Sequence, residues 1–463
     1  MCARSAESSS LPDLSSEKLV ERIWAGDPQV WTGADEGQWL GWLREPERMR
    51  GLVPDLLSFA AEAGEPFTSV VLLGMGGSSL APEVLRRSFG AESFHVLDTT
   101  HPRAVARLAG SLDLERTLFL ASSKSGSTLE TRSHLEYFWE RAGARGEAFA
   151  VVTDPGSELE VLARERGFRG VFHGEPTIGG RYSALSPFGL LPAALMGVDL
   201  QRLLARVHEM AEACRGAEGN PGLELGLQLG GNWRDGRDKV CLDPSPGDFG
   251  LWAEQLIAES TGKGGKGLVP APGEPPEGMD RQRGEVRLSD PYELGQEWYR
   301  WEFATAVAGS ILGINPFDQP NVQEAKDRTG AILERGEEIP LEPEGSVDEL
   351  LAGAEEGDYV AVLAFVDPER ERNLEPLLTR ARGTGCVVTH GLGPRYLHST
   401  GQLHKGGPNS GIFIQVVDDT GDELAIPGRQ FGFGQLIRAQ AAGDLEALKE
   451  RGRRVARVRL EDL

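Results

Sequence analysis

The chain has 463 residues and a formal net charge of −23. That length is enough for two or three domains with full cores, and the sign of the charge argues against a nucleic-acid or anionic-membrane partner, which demands basic surface. No run of about 18 apolar residues occurs, and the amino-terminal stretch MCARSAESSSLPDLSSEK has no apolar signal core, so a cytoplasmic location is expected. The four cysteines, Cys2, Cys214, Cys241 and Cys386, have neither CxxC nor metal-ligand spacing, so neither a disulfide framework nor a metal site is indicated.

Residues 1–65 read as a polar tail followed by helices, with Trp24, Trp31, Trp39 and Trp42 as anchors and no evident chemistry. From Thr68 the chain alternates short apolar runs (SVVLLGMGG, FHVLD, TLFLASS, AFAVVT, VFHG) with helical or turn segments. Such alternation predicts a parallel sheet covered on both faces, with ligands beyond the carboxyl ends of its strands. A helical stretch from Ser186 to Met210 closes this first unit, residues 66–210. Residues 211–463 form a second unit with strands at KVCLD (239–243), YVAVLAF (359–365), CVVTHG (386–391) and GIFIQVVDD (411–419). Helices are predicted over Phe249–Ser260, Tyr292–Leu312 and Gln435–Arg453, and the acidic piece Glu334–Glu356 reads as a solvated linker.

The most informative stretch is TLFLASSKSGSTLETRSHLE, residues 117–136. A buried strand opens through Ser122-Ser123-Lys124-Ser125-Gly126-Ser127-Thr128 into a helix, which aims unpaired N–H groups and the positive end of the helix dipole at whatever lies above. Helix capping accounts for one hydroxyl, whereas five of these seven residues carry one, and a phosphate site is the better reading. In a chain this acidic, local donors must hold an anion against the overall field.

Five other constellations bear on chemistry. Gly74-Met75-Gly76-Gly77-Ser78-Ser79 follows a strand, as a relative of the dinucleotide GxGxxG motif with Ser79 in place of the third glycine, as a turn that brings Ser78 and backbone amides to a sugar phosphate, or as a simple tight turn without a ligand. In Gly179-Gly180-Arg181-Tyr182-Ser183, Arg181 reads as a clamp for negative charge or as a surface ion pair. Gln255 and Glu259 share one face near the carboxyl end of a helix, where the dipole opposes a carboxylate and suits a general base; the alternative is a solvated glutamate. The loop Asn315–Lys326 leads into a helix, and His404 lies in the turn QLHKGGPN, either exchanging protons near neutral pH or simply exposed.

Taken together, GMGGS (74–78), SKSGSTLET (123–131), GGRYS (179–183), ESTGK (259–263) and FDQPNVQEAK (317–326) resemble the motifs of the glucose-6-phosphate isomerase family, over roughly residues 66–440. NPFDQPNVQ and LHKGGPNSG look most like the isomerase half of fused transaldolase/phosphoglucose isomerases. The resemblance implies an α/β fold of two sugar-isomerase (SIS) domains, each a parallel sheet sandwiched by helices, in a homodimer acting on a small sugar phosphate with no cofactor. It implies interconversion of glucose 6-phosphate and fructose 6-phosphate through an enediolate. Substrate-binding roles fall to Gly77, Ser78, Ser123, Lys124 (through its backbone), Ser125, Thr128, Gly180, Gln255 and Gln319. Catalytic roles fall to Glu259 as base, Arg181 as stabiliser, and Lys326 with His404 in ring opening. The family's histidine commonly lies between the base and the lysine, but residues 260–330 contain none, which leaves His404 as the match. Two other readings stay open: an SIS isomerase that also takes mannose 6-phosphate, and a non-catalytic sugar-phosphate sensor.

Overall fold

The computed structural model describes residues 15–242, 246–336, 339–421 and 423–463, with residue 246 and residues 322–326 described by their backbone alone. Two helices, α1 (Ser16–Trp24) and α2 (Glu45–Gly64), are joined by short 3-10 turns. The first alternating series is β1 (Ser69–Gly74), α3 (Leu80–Phe89), β2 (Phe94–Leu97), α4 (Pro102–Ser111), β3 (Thr117–Ser122), α5 (Leu129–Arg141), β4 (Phe149–Thr153), α6 (Glu158–Glu165) and β5 (Gly170–His173). Helices α7 (Pro187–Leu195), α8 (Leu200–Ala213) and α9 (Pro221–Arg234) lead to β6 (Lys239–Leu242), α10 (Gly250–Thr261), β7 (Val269–Pro272), β8 (Arg281–Arg283) and α11 (Leu294–Leu312). Then come α12 (Val322–Arg335), α13 (Val347–Ala352), β9 (Tyr359–Phe365), α14 (Glu375–Arg382), β10 (Val387–Leu392), α15 (Gly401–Gly406), β11 (Gly411–Val417), α16 (Phe433–Glu450) and β12 (Arg454–Arg459).

The first sheet has the order β2-β1-β3-β4-β5, parallel throughout. Its strand order reverses between β1 and β3, the switch point at which the two following loops diverge and leave a crevice. Register places Gly74 opposite Ser122, so the glycine loop and the hydroxyl loop leave the sheet side by side. Both strands are apolar along their length because helices cover both faces.

The expected strands of the second unit form, but they divide between two sheets. A three-stranded sheet has the order β7-β6-β8, and a four-stranded sheet the order β10-β9-β11-β12, with every pair parallel. Along β9 and β11 alternate side chains enter separate apolar clusters, Ala361, Leu363 and Phe413 on one face, Val360, Val362 and Ile414 on the other. The acidic piece read as a linker is partly structured: α13 forms there, and Glu344 pairs with Arg457 of β12. Residues 337 and 338 of that piece lie outside the described residues.

Helix α11 packs against α8, α9 and α10 and is buried along nearly its whole length. Gly222, Gly226 and Gly230 recur every fourth residue along α9 and let the two helices approach closely; a Cβ on Gly226 would stand 2.5 Å from Val307. The αL residue Gly313 ends α11 and turns the chain into the loop 314–320.

Candidate active site

Beyond the carboxyl ends of β1 and β3 opens a cleft of about 590 Å³. Gly77, Ser78, Lys124, Ser125, Thr128, Gly180, Gln255, Glu259 and Gln319 all line it, so nine residues from five separate stretches of sequence meet in one place. Ser123 and Arg181 stand just behind the lining, buried.

The hydroxyl loop is preorganised by its own side chains. Ser123 Oγ pairs with Thr128 Oγ1 at 2.9 Å and accepts from the Gly126 amide at 3.2 Å. Thr128 occupies the N-cap position of α5 without making a side-chain cap hydrogen bond, so capping is not what its hydroxyl does. The Lys124 ammonium is committed to Asp154 and to the Glu175 carbonyl (3.2 Å), and its own carbonyl accepts from the Asp154 amide. What Lys124 offers a ligand is therefore main chain rather than free charge. The glycine loop is pressed against the arginine loop: a Cβ on Gly77 would lie 2.1 Å from the Gly180 carbonyl oxygen, so no larger residue fits without moving backbone.

Arg181 lies in a 3-10 turn, Gly180–Tyr182, with 1% of its surface exposed. Nε donates to Ser260 Oγ (2.8 Å), one terminal nitrogen to Gln319 Oε1 (2.9 Å), and the other to the carbonyls of Pro316 (2.7 Å) and Asp318 (2.9 Å). The nitrogen that holds Gln319 also stands 3.6 Å from Glu259 Oε1. Glu259 extends from the last turn of α10, where Gln255 Nε2, one turn earlier, donates to its other oxygen at 3.0 Å. At the cleft wall the carboxylate can remove a proton, and the fixed guanidinium facing it can stabilise the oxyanion so formed. Lys263 lies behind this pair; its ammonium reaches Asp318 (2.7 Å) and the Asn315 carbonyl, and burial, with the nearby Arg181 charge, pushes its pKa down to about 7.

The two remaining catalytic assignments fare differently. The backbone of Lys326 lies in the first turns of α12, just past Gln319, and its side chain is outside the described residues. His404 does not line the cleft. Its ring is buried in the apolar cluster of the second unit, 5.2 Å from the Phe413 ring and 6.0 Å from that of Tyr396, and burial holds its pKa well below the usual value. The histidine that does line the cleft is His398. Its Nε2 meets Glu130 Oε1 at 2.9 Å, and the same oxygen accepts from Gln440 Nε2 at 2.7 Å. Gln440 is in turn held by the Thr100 hydroxyl at 2.7 Å. The His398 carbonyl accepts from Gln255 (2.9 Å) and lies 2.6 Å from where a Cβ on Gly76 would be.

Sequence reasoning missed His398, and also Asp35 and Trp39, which line the cleft from the segment that had shown no chemistry. Nothing near YLHST marks His398, because what places it is a partner 268 residues away. Among the described residues no group of three His, Cys, Asp or Glu side chains is arranged to hold a metal ion.

Comparison with known proteins points the same way. A family model described as phosphoglucose isomerase matches residues 46–234. A glucose-6-phosphate isomerase of Synechococcus sp. (strain JA-3-3Ab) is 36% identical over 267 residues, which cover 50% of this chain and 50% of that protein. One from Carboxydothermus hydrogenoformans is 28% identical over 433 residues, covering 70% of this chain and 93% of that protein. The chain thus spans about half the length of the first of these relatives and most of the second. Among solved structures, a glucose-6-phosphate isomerase from Chlamydia trachomatis shares the fold with a TM-score of 0.53 at 20% identity, over 71% of this chain and 81% of that one. A hypothetical protein from Thermus thermophilus does so with a TM-score of 0.50 at 24% identity, over 96% of this chain and 83% of that one. Through residues 46–234 the chain is similar to the phosphoglucose isomerase family.

Proposed function

We propose that this protein interconverts glucose 6-phosphate and fructose 6-phosphate by base-catalysed proton transfer between C1 and C2. The observation that carries the reading is the Glu259 carboxylate held 3.6 Å from the Arg181 guanidinium in the wall of a cleft whose floor is a loop of hydroxyls at a helix N-terminus. The phosphate would rest on Ser123, Ser125, Thr128 and the first amides of α5, with Ser78 and the Lys124 backbone beside it. Binding energy at that remote end would position the reacting carbons.

Glu259 takes the proton from the carbon next to the carbonyl, and Arg181 with Gln319 stabilises the enediolate oxygen. Gln255 aims the base. His398, oriented by Glu130, moves the proton between O5 and O1 in ring opening, and Lys326 joins it there on the strength of the family resemblance. His404 has no part in this scheme. A cytoplasmic homodimer, with residues 66–210 and 211–463 as its two SIS domains, belongs to the same proposal.

The test is a coupled assay for fructose 6-phosphate formed from glucose 6-phosphate, together with Glu259→Gln. The variant should lose about three orders of magnitude in kcat, as for a base acting directly on carbon, while still binding substrate. A wild-type protein without isomerase activity overturns the function, and a variant with near wild-type turnover overturns the base.

A further inference from the structure

Residues 16–45 precede the stretch that matches the family, yet two of their side chains, Asp35 and Trp39, line the cleft together with Pro176, Phe317 and Gln319. The segment that carries them is pinned at both ends. Before it, the buried Trp31 donates Nε1 to the Ala306 carbonyl (2.8 Å) and stands edge-on to Phe317, with ring centres 5.1 Å apart. After it, the buried Trp42 packs 5.3 Å from Tyr182, the neighbour of Arg181. The intervening turn also presses on the loop at Thr177: the Gly41 amide donates to the Thr177 carbonyl (3.3 Å), and a Cβ on Gly41 would lie 2.2 Å from Thr177 Oγ1.

Within this frame Trp39 Nε1 donates to one oxygen of Asp35 (3.0 Å), and Asn315 Nδ2 to the other (3.0 Å). Each carboxylate oxygen therefore keeps a lone pair for another donor while its direction is fixed. Asn315 begins the loop that carries Asp318 and Gln319, so Asp35 stands on the Arg181 side of the cleft. The half-buried Trp39 ring adds a flat apolar surface beside a carboxylate that accepts hydroxyls.

We propose that Asp35 and Trp39 form a specificity wall for the hydroxyl-bearing end of a hexose monophosphate. Trp39 covers an apolar face of the sugar, Asp35 accepts one of its hydroxyls, and the Asp35 charge excludes a second phosphate at that end. The proposal rests on the isomerase reading for the identity of the sugar.

The experiment is titration calorimetry with glucose 6-phosphate and with glucose 1,6-bisphosphate on the full chain, in the Glu259→Gln background so that turnover is slowed about a thousandfold. Trp39→Ala should weaken monophosphate binding about tenfold and Trp39→Phe should recover most of that loss. Asp35→Asn, which keeps the shape, should narrow the preference for monophosphate over bisphosphate at least tenfold. In the active chain Trp39→Ala should raise KM with kcat within about threefold. Unchanged affinity in Trp39→Ala and unchanged preference in Asp35→Asn would overturn the wall. Binding that responds as described in a protein without isomerase activity would sustain the wall and remove only the function.

Discussion

Two histidines six residues apart offer a sharp test, because stability and activity should respond in opposite order. His404 is 3% exposed, its ring faces Phe413 and Tyr396, and its Nδ1 is buried without a partner. Replacing a buried ring by alanine costs about 3–5 kcal/mol. Removing the unsatisfied nitrogen returns about 1 kcal/mol, and the net loss for His404→Ala is about 3 kcal/mol. The His398 ring, 14% exposed, makes one hydrogen bond to Glu130, which retains the Gln440 donor, so His398→Ala should cost only about 1 kcal/mol. Turnover should fall in the reverse order: about a hundredfold or more for His398→Ala, as for loss of a general acid–base, and little per folded molecule for His404→Ala. Urea titration gives the stabilities. Ring opening and reclosure exchange the two anomers, so the exchange rate of their NMR signals at substrate equilibrium reads that step apart from isomerisation. A folded His404→Ala without ring opening, next to a His398→Ala that opens the ring at the wild-type rate, would refute the assignment.

Lys263 supplies a pH dependence. Its folded pKa of about 7 lies below the ordinary 10.5, so between those values the unfolded chain binds more protons and stability should rise with pH. From pH 7 to pH 9 the rise is about 2 kcal/mol, it should be absent from Lys263→Met, and denaturant titration at the two pH values checks it. The same substitution should remove a limb near pH 7 from the kcat/KM profile, because the charge behind Arg181 and Glu259 is then gone. Gly77→Ala forces a methyl group to within 2.1 Å of the Gly180 carbonyl oxygen, backbone against backbone, and should cost about 2 kcal/mol in urea unfolding while raising KM for the sugar phosphate.

The first sheet was legible because its strands are buried on both faces and read as uninterrupted apolar runs, as in LFLAS of β3. The site residues that follow directly from those strands, Ser78 and the 123–128 loop, were legible for the same reason: topology puts the ends of adjacent parallel strands together. Glu259 and Gln255 could be paired because helical spacing is local. His398 could not, since its place depends on Glu130 and Gln440, far away in the chain, and the local spelling LHKGG favoured His404 instead. Asp35 and Trp39 escaped for a related reason: Trp39 is one of four tryptophans that read as core anchors, and only the packing of Trp31 and Trp42 separates the two buried rings from the one that faces the cleft. The division of the second unit into two sheets was equally hidden, because VPAP of β7 is broken by prolines and RQR of β8 has no apolar residue, so neither spells a strand.

Both N–H groups of the Gln255 carboxamide are taken, one by a side chain of its own helix and one by main chain from the turn ahead of α15. That single amide is a tie-rod between the middle of the chain and its carboxyl-terminal third. On the proposed assignment it therefore couples the helix that bears the carboxylate to the backbone that bears the imidazole, so a loss of this one amide would loosen both proton-handling groups at once.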